Sequence, residues 1–224
     1  MATLLLRLAA PMQAWGVDSK FDIRKTNREP TKSGIIGLLS AALGLRRDED
    51  QMMERLNKLR FAVRVDQEGS LLIDFHTARK GKDSYVTRRH YLCDAVFLVG
   101  LESEDGAFLE QLAQALRHPA YPLFLGRRSC PPTQPLCLGI REAGLIDALL
   151  EQDSLVPEWR WKGAERYRIV EDAAPWEMDA VPRRDLPISF NPVHRKFAYR
   201  AVREFFAMRP MTPDETTHDP FLEL

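Results

Sequence analysis

Apolar residues along the chain recur in two spacings, one typical of strands and one typical of helices. The leucine-rich run 3–9 is short and stops before Pro11, which favours a buried strand over a helix. The run 35–45 instead repeats every three or four residues behind Pro30, which predicts a helix that begins near Lys32. The same criteria predict further strands at 61–66, 93–101 and 136–140, and further helices at 50–59, 107–117 and 144–152.

Residues 71–92 have the pattern of a long hairpin between the second and third of these strands. Both halves alternate, and Gly81 lies between Lys80 and Lys82 at the tip. The resulting order is strand, helix, helix, strand, hairpin, strand, helix, strand. This is the order of a ferredoxin-like or RNA-recognition-type (RRM-like) sheet with an inserted hairpin. A dinucleotide-binding fold would need a glycine-rich turn after the first strand, and the sequence has none there.

The chain beyond residue 144 has a weaker pattern. After the helix, the sequence suggests one or two strands near 159–169, an acidic linker at 173–182, and strands at 188–190 and 197–206. We therefore predict the α+β class, with a ferredoxin-like domain that carries the hairpin at about 70–92 and a small C-terminal β-rich region behind it. The predicted parts are the domain at 1–143, the appended region at 144–210 and a mobile tail at 211–224.

Composition places the chain among globular proteins of a reducing compartment. With 224 residues, of which 45% are hydrophobic, the chain can bury a large core. Its three cysteines form no CxxC pair, which favours a cytoplasmic location, and the opening apolar run lacks the basic leader of a signal peptide. No apolar run approaches the roughly 20 residues of a membrane helix, so we expect no membrane partner.

Charge is balanced overall but uneven along the chain. The 32 basic residues equal the 32 acidic ones in number. Residues 1–47 nevertheless contain eight basic against three acidic residues, whereas residues 142–185 contain six basic against eleven acidic ones. The neutral total therefore hides a basic N-terminal part, and by itself it argues neither for nor against a polyanionic partner.

The start of the helix near Lys32 carries anion-binding chemistry. Lys32, Ser33 and Gly34 combine a cation, a hydroxyl and an unshielded amide at the positive end of the helix dipole. A nucleotide-binding P-loop is excluded, because Thr26 and Thr31 stand where that motif requires glycine. The alternative is a well-capped core helix with nothing bound.

The segment after the first strand contains Met12, Gln13 and Trp15 beside the flexible Gly16. An aromatic ring and an amide side chain at a strand end suit contact with a nucleotide base. Trp15 is equally suited to closing one end of the core. The sequence alone leaves both interpretations open.

A second unusual segment contains Gly126, Arg127, Arg128 and Ser129, closed by paired prolines. Adjacent arginines after a glycine place two guanidinium groups on a rigid turn, which suits phosphate groups. The alternative is that Arg127 or Arg128 pairs with an acidic residue of the later region.

Cations dominate the predicted hairpin and the loop before the first helix. Tyr85, His90 and Tyr91 lie among the hairpin cations, and this mixture is expected of a nucleic-acid contact. The alternative is that the charged side chains face water and bind nothing. The RNA-binding candidates that rest on charge alone are Arg24, Lys25, Arg46, Arg47, Arg79, Lys80, Lys82, Arg88 and Arg89.

Three of these segments together resemble a known family. They are residues 8–16, 30–39 and 125–131, which read Leu-Ala-Ala-Pro-Met-Gln-Ala-Trp-Gly, Pro-Thr-Lys-Ser-Gly-Ile-Ile-Gly-Leu-Leu and Leu-Gly-Arg-Arg-Ser-Cys-Pro. They resemble the CasD family, the fifth Cas subunit of the type I-E CRISPR surveillance complex called Cascade. The resemblance covers residues 1–139 well, and the region after 144 matches poorly.

The resemblance implies a RAMP protein, with a ferredoxin-like domain and a thumb-like hairpin, that holds the 5′ handle of the CRISPR RNA in antiviral defence. It also implies that the thumb touches the nearest backbone subunit, that the large subunit docks close by, and that target DNA is reached indirectly through the complex. The implied handle contacts are Met12, Gln13, Trp15, Lys32, Ser33, Arg127, Arg128 and Ser129.

We expect a binding subunit without catalytic activity. The rival is a metal-independent endoribonuclease, as in type I-C relatives, which would draw its acid, base and phosphate-stabilising groups from His76, Lys80, Tyr85 and His90. A reader of double-stranded DNA is disfavoured, because the pattern contains no helix-turn-helix recognition helix. No metal or cofactor is expected, since the histidines and cysteines lack ligand spacing.

Overall fold

A computed structural model describes residues 1–16, 22–81, 83–160 and 166–209. Its strands are β1 (Ala2–Ala9), β2 (Met12–Gln13), β3 (Ile23–Arg24), β4 (Arg60–Gln67), β5 (Ser70–Lys80), β6 (Asp83–Cys93), β7 (Val96–Ser103), β8 (Cys137–Arg141), β9 (Arg166–Asp172), β10 (Val181–Ser189) and β11 (Lys196–Met208). Its α-helices are α1 (Lys32–Leu43), α2 (Asp50–Asn57), α3 (Gly106–Arg117) and α4 (Leu145–Glu151). Lys82 and the tail 211–224 lie outside the described residues.

A seven-stranded sheet forms the centre of the molecule, in the order β10-β11-β9-β4-β7-β1-β8, and its neighbouring strands are antiparallel. Helices α1, α2 and α3 cover one face, where the largest cluster of buried apolar side chains lies. Helix α4 covers the other face, over Leu5, Ala62 and Leu98. The α+β prediction is thereby confirmed as far as the combination of helices with a large antiparallel sheet.

Helix α1 forms where the apolar spacing predicted it. The Thr31 hydroxyl accepts a hydrogen bond from the Gly34 amide at 3.2 Å and caps the helix start. Gly44 ends it with a φ of 76°, a left-handed conformation that favours glycine. Ile35 and Leu39 are completely buried between these ends, so this helix is a core element.

The C-terminal strands extend the same sheet. Strand β9 pairs with β4, and Ile169, Val170 and Val202 are buried. The division of the chain at residue 144 therefore does not coincide with a break in the sheet. Strand β10 also begins at Val181, well before the predicted 188–190, because Asp185 holds it in place through hydrogen bonds from other elements.

Strands β5 and β6 form the predicted long hairpin. They pair from Ser70 opposite Cys93 to Lys80 opposite Asp83, and Gly81 turns the tip with a φ of 63°. Strand β2 pairs with the base of β6 and β3 with its middle, which the sequence did not predict because each has two residues. None of the helices in the described ranges is long and apolar enough to span a membrane.

Candidate nucleic-acid interface

The loop at residues 125–130 packs tightly against the segment that follows β1. The Leu125 carbonyl accepts a hydrogen bond from the Ala14 amide at 3.1 Å, and the Leu125 amide donates to the Cys130 carbonyl at 2.7 Å. Gly126 has a φ of 85°, and a Cβ there would lie 1.6 Å from the Ala14 carbonyl oxygen. Glycine is therefore required at this position, which sets where the following arginines emerge.

We expect Gly126→Ala to displace this loop and to lower the free energy of unfolding by about 1–3 kcal/mol or more, because the new Cβ overlaps Ala14 at a strained φ. Urea unfolding measures the change. Gly16→Ala is the matched control, since a Cβ there would meet nothing within 4 Å, and it should change stability by less than about 0.5 kcal/mol. Equal unfolding midpoints for the two variants would contradict the close approach.

Arg127 and Arg128 occupy different environments. The Arg127 guanidinium donates to the Arg24 carbonyl at 2.9 Å and lies 4.6 Å from the centre of the Tyr91 ring. Its Nη1 atom is buried without a hydrogen-bond partner in the described structure. Arg128 is exposed, and within the described ranges neither arginine pairs with a carboxylate, so the predicted alternative of an internal ion pair is not realised.

Tyr91 lies against the loop at residues 125–130, beside Arg127 and Ser129. Its hydroxyl is 3.5 Å from the Ser129 hydroxyl. Burial alone would raise the pKa of the Tyr91 phenol, but Ser129 and the Arg127 guanidinium outweigh burial and lower that pKa. The local field therefore favours negative charge at this end of the loop.

A groove of about 1090 Å³ runs along α1, between this helix, the loop after α3 and the connection from β10 to β11. Four guanidinium groups border it, against a single carboxylate, that of Glu49, within the described residues. These cations are Arg46, Arg47, Arg128 and Arg195. Apolar and aromatic walls separate them, and the aromatic side chains are Tyr121, Phe124 and Phe190.

The cations of the groove are mostly free of internal partners. Arg46 lies 3.9 Å from Asp48, and both side chains are largely exposed. For Arg47, Arg128 and Arg195, no ion pair is found in the part of the chain that the structure describes. Cations held beside aromatic rings in one groove suit a single-stranded nucleic acid.

A second cavity, of about 440 Å³, lies at the base of the hairpin. Its lining includes one carboxylate, that of Asp74, together with Met12, Leu72, His76, Arg89, Tyr91 and Ser129. The Arg89 Nε atom is buried without a hydrogen-bond partner in the described structure. Because Gly126 and Arg128 line the groove and Ser129 lines this cavity, one loop borders both.

Gln13 and Trp15 are core residues, which corrects their assignment as base contacts. The Trp15 ring is 1% exposed, and its Nε1 donates to Gln13 Oε1 at 3.2 Å. The Gln13 amide in turn donates to the carbonyls of Leu8 and Ala95, at 3.2 and 2.7 Å. Both side chains thus use their polar atoms inside the protein, and Trp15 closes one end of the core.

Lys32 is also buried, which corrects its assignment as a phosphate contact. Its ammonium group donates to Asp172 at 2.6 Å and to the Leu59 carbonyl at 2.9 Å, and its amide donates to Asp185 at 2.9 Å. The positive end of α1 is therefore occupied by a carboxylate of the same chain. Burial lowers the pKa of Lys32, and Asp172 only partly offsets this. Ser33 lines the groove.

The hairpin cations divide between its two faces. Register places Arg79 and Arg88 on one face and Arg89 on the other, which is the face of the second cavity. Lys80 lies at the end of β5, while Lys82 is outside the described residues. Arg24 and Lys25, at the edge beside β6, are exposed.

Within the described ranges, no three His, Cys, Asp or Glu side chains come close enough together to hold a metal ion. Cys93, Cys130 and Cys137 are free thiols. Phe190 and Arg195 were missed as site residues by the sequence reasoning, which treated them only as strand residues or dispersed charge. A cation beside aromatic residues in 190–197 was the available signal.

Comparison with known proteins assigns the family to which this chain belongs. Residues 3–203 match the family model of the CRISPR-associated protein (Cas_Cas5), so the chain belongs to that family. It is 41% identical, over 160 residues, to the CRISPR system Cascade subunit CasD of Escherichia coli (strain K12), a match that covers 62% of this chain and 71% of that protein. The resemblance to CasD predicted from three short segments is thereby confirmed.

Two solved structures have the same fold. A chain of a CRISPR RNA-guided surveillance complex superposes with a TM-score of 0.79 at 31% identity, covering 95% of both chains. The crystal structure of a Cas protein superposes with a TM-score of 0.74 at 40% identity, covering 92% of this chain and 95% of that one.

Proposed function

We propose that the chain is a subunit of a Cascade-type CRISPR complex and that it holds the 5′ handle of the CRISPR RNA. Family membership and the similarity to CasD support the complex. The observation that carries RNA binding is the groove, where Arg47, Arg128 and Arg195 face solvent without carboxylate partners among the described residues.

The RNA strand follows the groove and crosses the loop at residues 126–129 toward the second cavity. Arg128 binds its backbone on the groove side. On the other side of the loop, the partnerless donors Arg127 Nη1 and Arg89 Nε favour an anion, since an unsatisfied buried donor is costly. A bent single strand meets both sets of cations, whereas a rigid duplex does not follow such a path.

The strand order supports the ferredoxin-like RAMP assignment. Strands β4, β7, β1 and β8 are neighbours in that order, and α1 and α3 pack against each other on one face. The β5–β6 hairpin leaves this sheet between β4 and β7 and is the thumb.

The thumb has an apolar face that suits a protein partner. Leu71, Phe75 and Val86 share one face of the hairpin, and each is more than half exposed. Arg88 lies over the Phe75 ring, 6.0 Å from its centre. A face of this composition fits the nearest backbone subunit of the complex. The large subunit docks near the same end, and target DNA is reached through the complex.

The chain acts as a binder and not as a nuclease in this proposal. Register puts His90 on the opposite face of the thumb from His76 and Tyr85, so His90 does not act with them on one phosphate. The His76 ring also lies against Asp74. General acid–base cleavage needs two groups within reach of one reacting centre, and His76 with Tyr85 is the pair that the test below addresses.

Incubating the purified full chain with labelled CRISPR repeat RNA, without metal, tests this function. We expect binding of intact RNA whose affinity falls with salt at a slope of about 0.7 per phosphate contact, or roughly 2 for three contacts. Filter binding across salt concentrations measures the slope, and gel electrophoresis measures RNA length. Salt-independent binding would contradict the groove as the site, and a specific cut that disappears in His76→Ala would favour the nuclease.

A further inference from the structure

The connection from β10 to β11 forms one wall of the cationic groove. Phe190, Pro192 and Arg195 line the groove together with Arg46 and Arg47 from the end of α1. The connection belongs to the part of the chain where the sequence resemblance was poor. It therefore adds side chains to the groove that none of the three short segments contains.

Arg195 lies beside two aromatic rings. Its guanidinium carbon lies 5.0 Å from the centre of Phe197 and 5.8 Å from that of Phe190. The two rings themselves meet edge to face, with centres 6.5 Å apart. Such packing keeps a guanidinium group in place without neutralising its charge.

The charge of Arg195 is left uncompensated, unlike that of four other arginines in the C-terminal strands. Arg168, Arg183, Arg200 and Arg203 each pair with at least one carboxylate. Arg195 pairs with none in the part of the chain described. Partial burial in the groove lowers the pKa of Arg195, and repulsion from Arg47 lowers it further. An anion between the two guanidinium groups would remove this repulsion.

The start of the connection is anchored to the helical layer. The Asn57 amide of α2 donates to the Pro187 carbonyl at 2.7 Å, which ties β10 to the helical layer. The Phe190 ring packs over Gly37 of α1, where an added Cβ would lie 3.8 Å from it. Phe190 is thus held in place beside α1, which favours binding because less side-chain freedom is lost.

We propose that the β10–β11 connection binds one nucleotide of the RNA, with Arg195 and Arg47 on its phosphate and Phe190 against its base. This inference rests on the proposed function and extends the RNA site beyond the loop at residues 126–129. Guanidinium groups match phosphate geometry, and an aromatic ring stacks on any base, so the subsite recognises a nucleotide without requiring a particular sequence.

Variants of the full chain, assayed with an RNA oligonucleotide that carries the CRISPR 5′ handle, test this subsite. Arg195→Ala should weaken binding by about tenfold and reduce the salt slope by about 0.7, because one phosphate contact is lost. Phe190→Leu, which keeps apolar packing, should weaken binding by a similar factor of about ten with an unchanged slope, because stacking carries no charge. Arg184→Ala, an exposed arginine of β10 outside the groove lining, should bind as the unmodified chain does.

The outcomes separate this inference from the proposed function. If Arg195→Ala and Phe190→Leu bind RNA normally while the double variant Arg47→Ala/Arg128→Ala does not, the subsite is refuted, whereas RNA binding in the groove is supported. If all these variants bind RNA normally, both the subsite and RNA binding in the groove are refuted. If Arg195→Ala binds RNA normally but no longer assembles with the other Cascade subunits, the connection is a protein-docking surface, which also refutes the subsite. Circular dichroism confirms that each variant is folded.

Discussion

Asp172→Ala is expected to lower the free energy of unfolding by about 3–5 kcal/mol, because it leaves two buried cations without this partner. The Asp172 carboxylate accepts from the Lys32 ammonium, the Phe61 amide at 3.1 Å and the Arg200 guanidinium. Lys32 and Arg200 have 6% and 7% of their side chains exposed, so water cannot replace the lost contacts. Urea unfolding of the full chain measures the change.

Two further variants make this result interpretable. Asp48→Ala removes an exposed carboxylate whose partner Arg46 is 3.9 Å away, and it should cost less than about 1 kcal/mol. Lys32→Met in the Asp172→Ala background should recover part of the loss, because it removes a stranded cation from the interior. An unfolding midpoint for Asp172→Ala equal to that of Asp48→Ala would refute the role of the buried cluster.

Arg47→Ala combined with Arg128→Ala is expected to weaken RNA binding by about a hundredfold at fixed salt, since each lost charge-assisted contact costs roughly tenfold. The slope of affinity against salt should also fall by about 1.4, because two phosphate contacts disappear. Both side chains are exposed, and among the described residues neither pairs with a carboxylate, so folding stability should change little. Filter binding at several salt concentrations measures both quantities.

The slope is the more specific readout of the two. A double variant that loses affinity with an unchanged slope would mean that these arginines act through the shape of the loop and not by binding phosphate. Exposed arginines outside the groove, such as Arg184, provide the control for a general loss of positive charge.

Buried ion pairs explain why an acidic later region coexists with a cationic groove. Several carboxylates of the C-terminal strands are paired with arginines of the same strands, as Glu171 is with Arg203 and Asp185 with Arg200. Lys32 of the N-terminal part likewise holds Asp172. Ion pairs within the protein therefore neutralise part of the acidic excess counted along 142–185, and the groove keeps its positive charge.

The local sequence pattern was sufficient to predict most of the helices and strands. Apolar spacing and cap residues predicted α1, α3 and the long hairpin, because these depend on neighbours within a few residues. The extent of β10 could not be predicted in this way. The prolines and charged residues of this segment predicted a linker. In the structure the segment is a strand because it pairs with β11 and because Asp185 contacts Arg200.

For the site, the sequence by itself determined the chemistry available: a glycine that lets two arginines leave a tight loop, a basic hairpin and the segments that resemble CasD. Only the tertiary structure decided which cations remain free to bind. Lys32 and Arg128 have the same formal charge, yet folding places one against carboxylates in the core and the other in an open groove. The reason is that an ion pair depends on which residues folding brings together, and Lys32 meets a carboxylate 140 positions away.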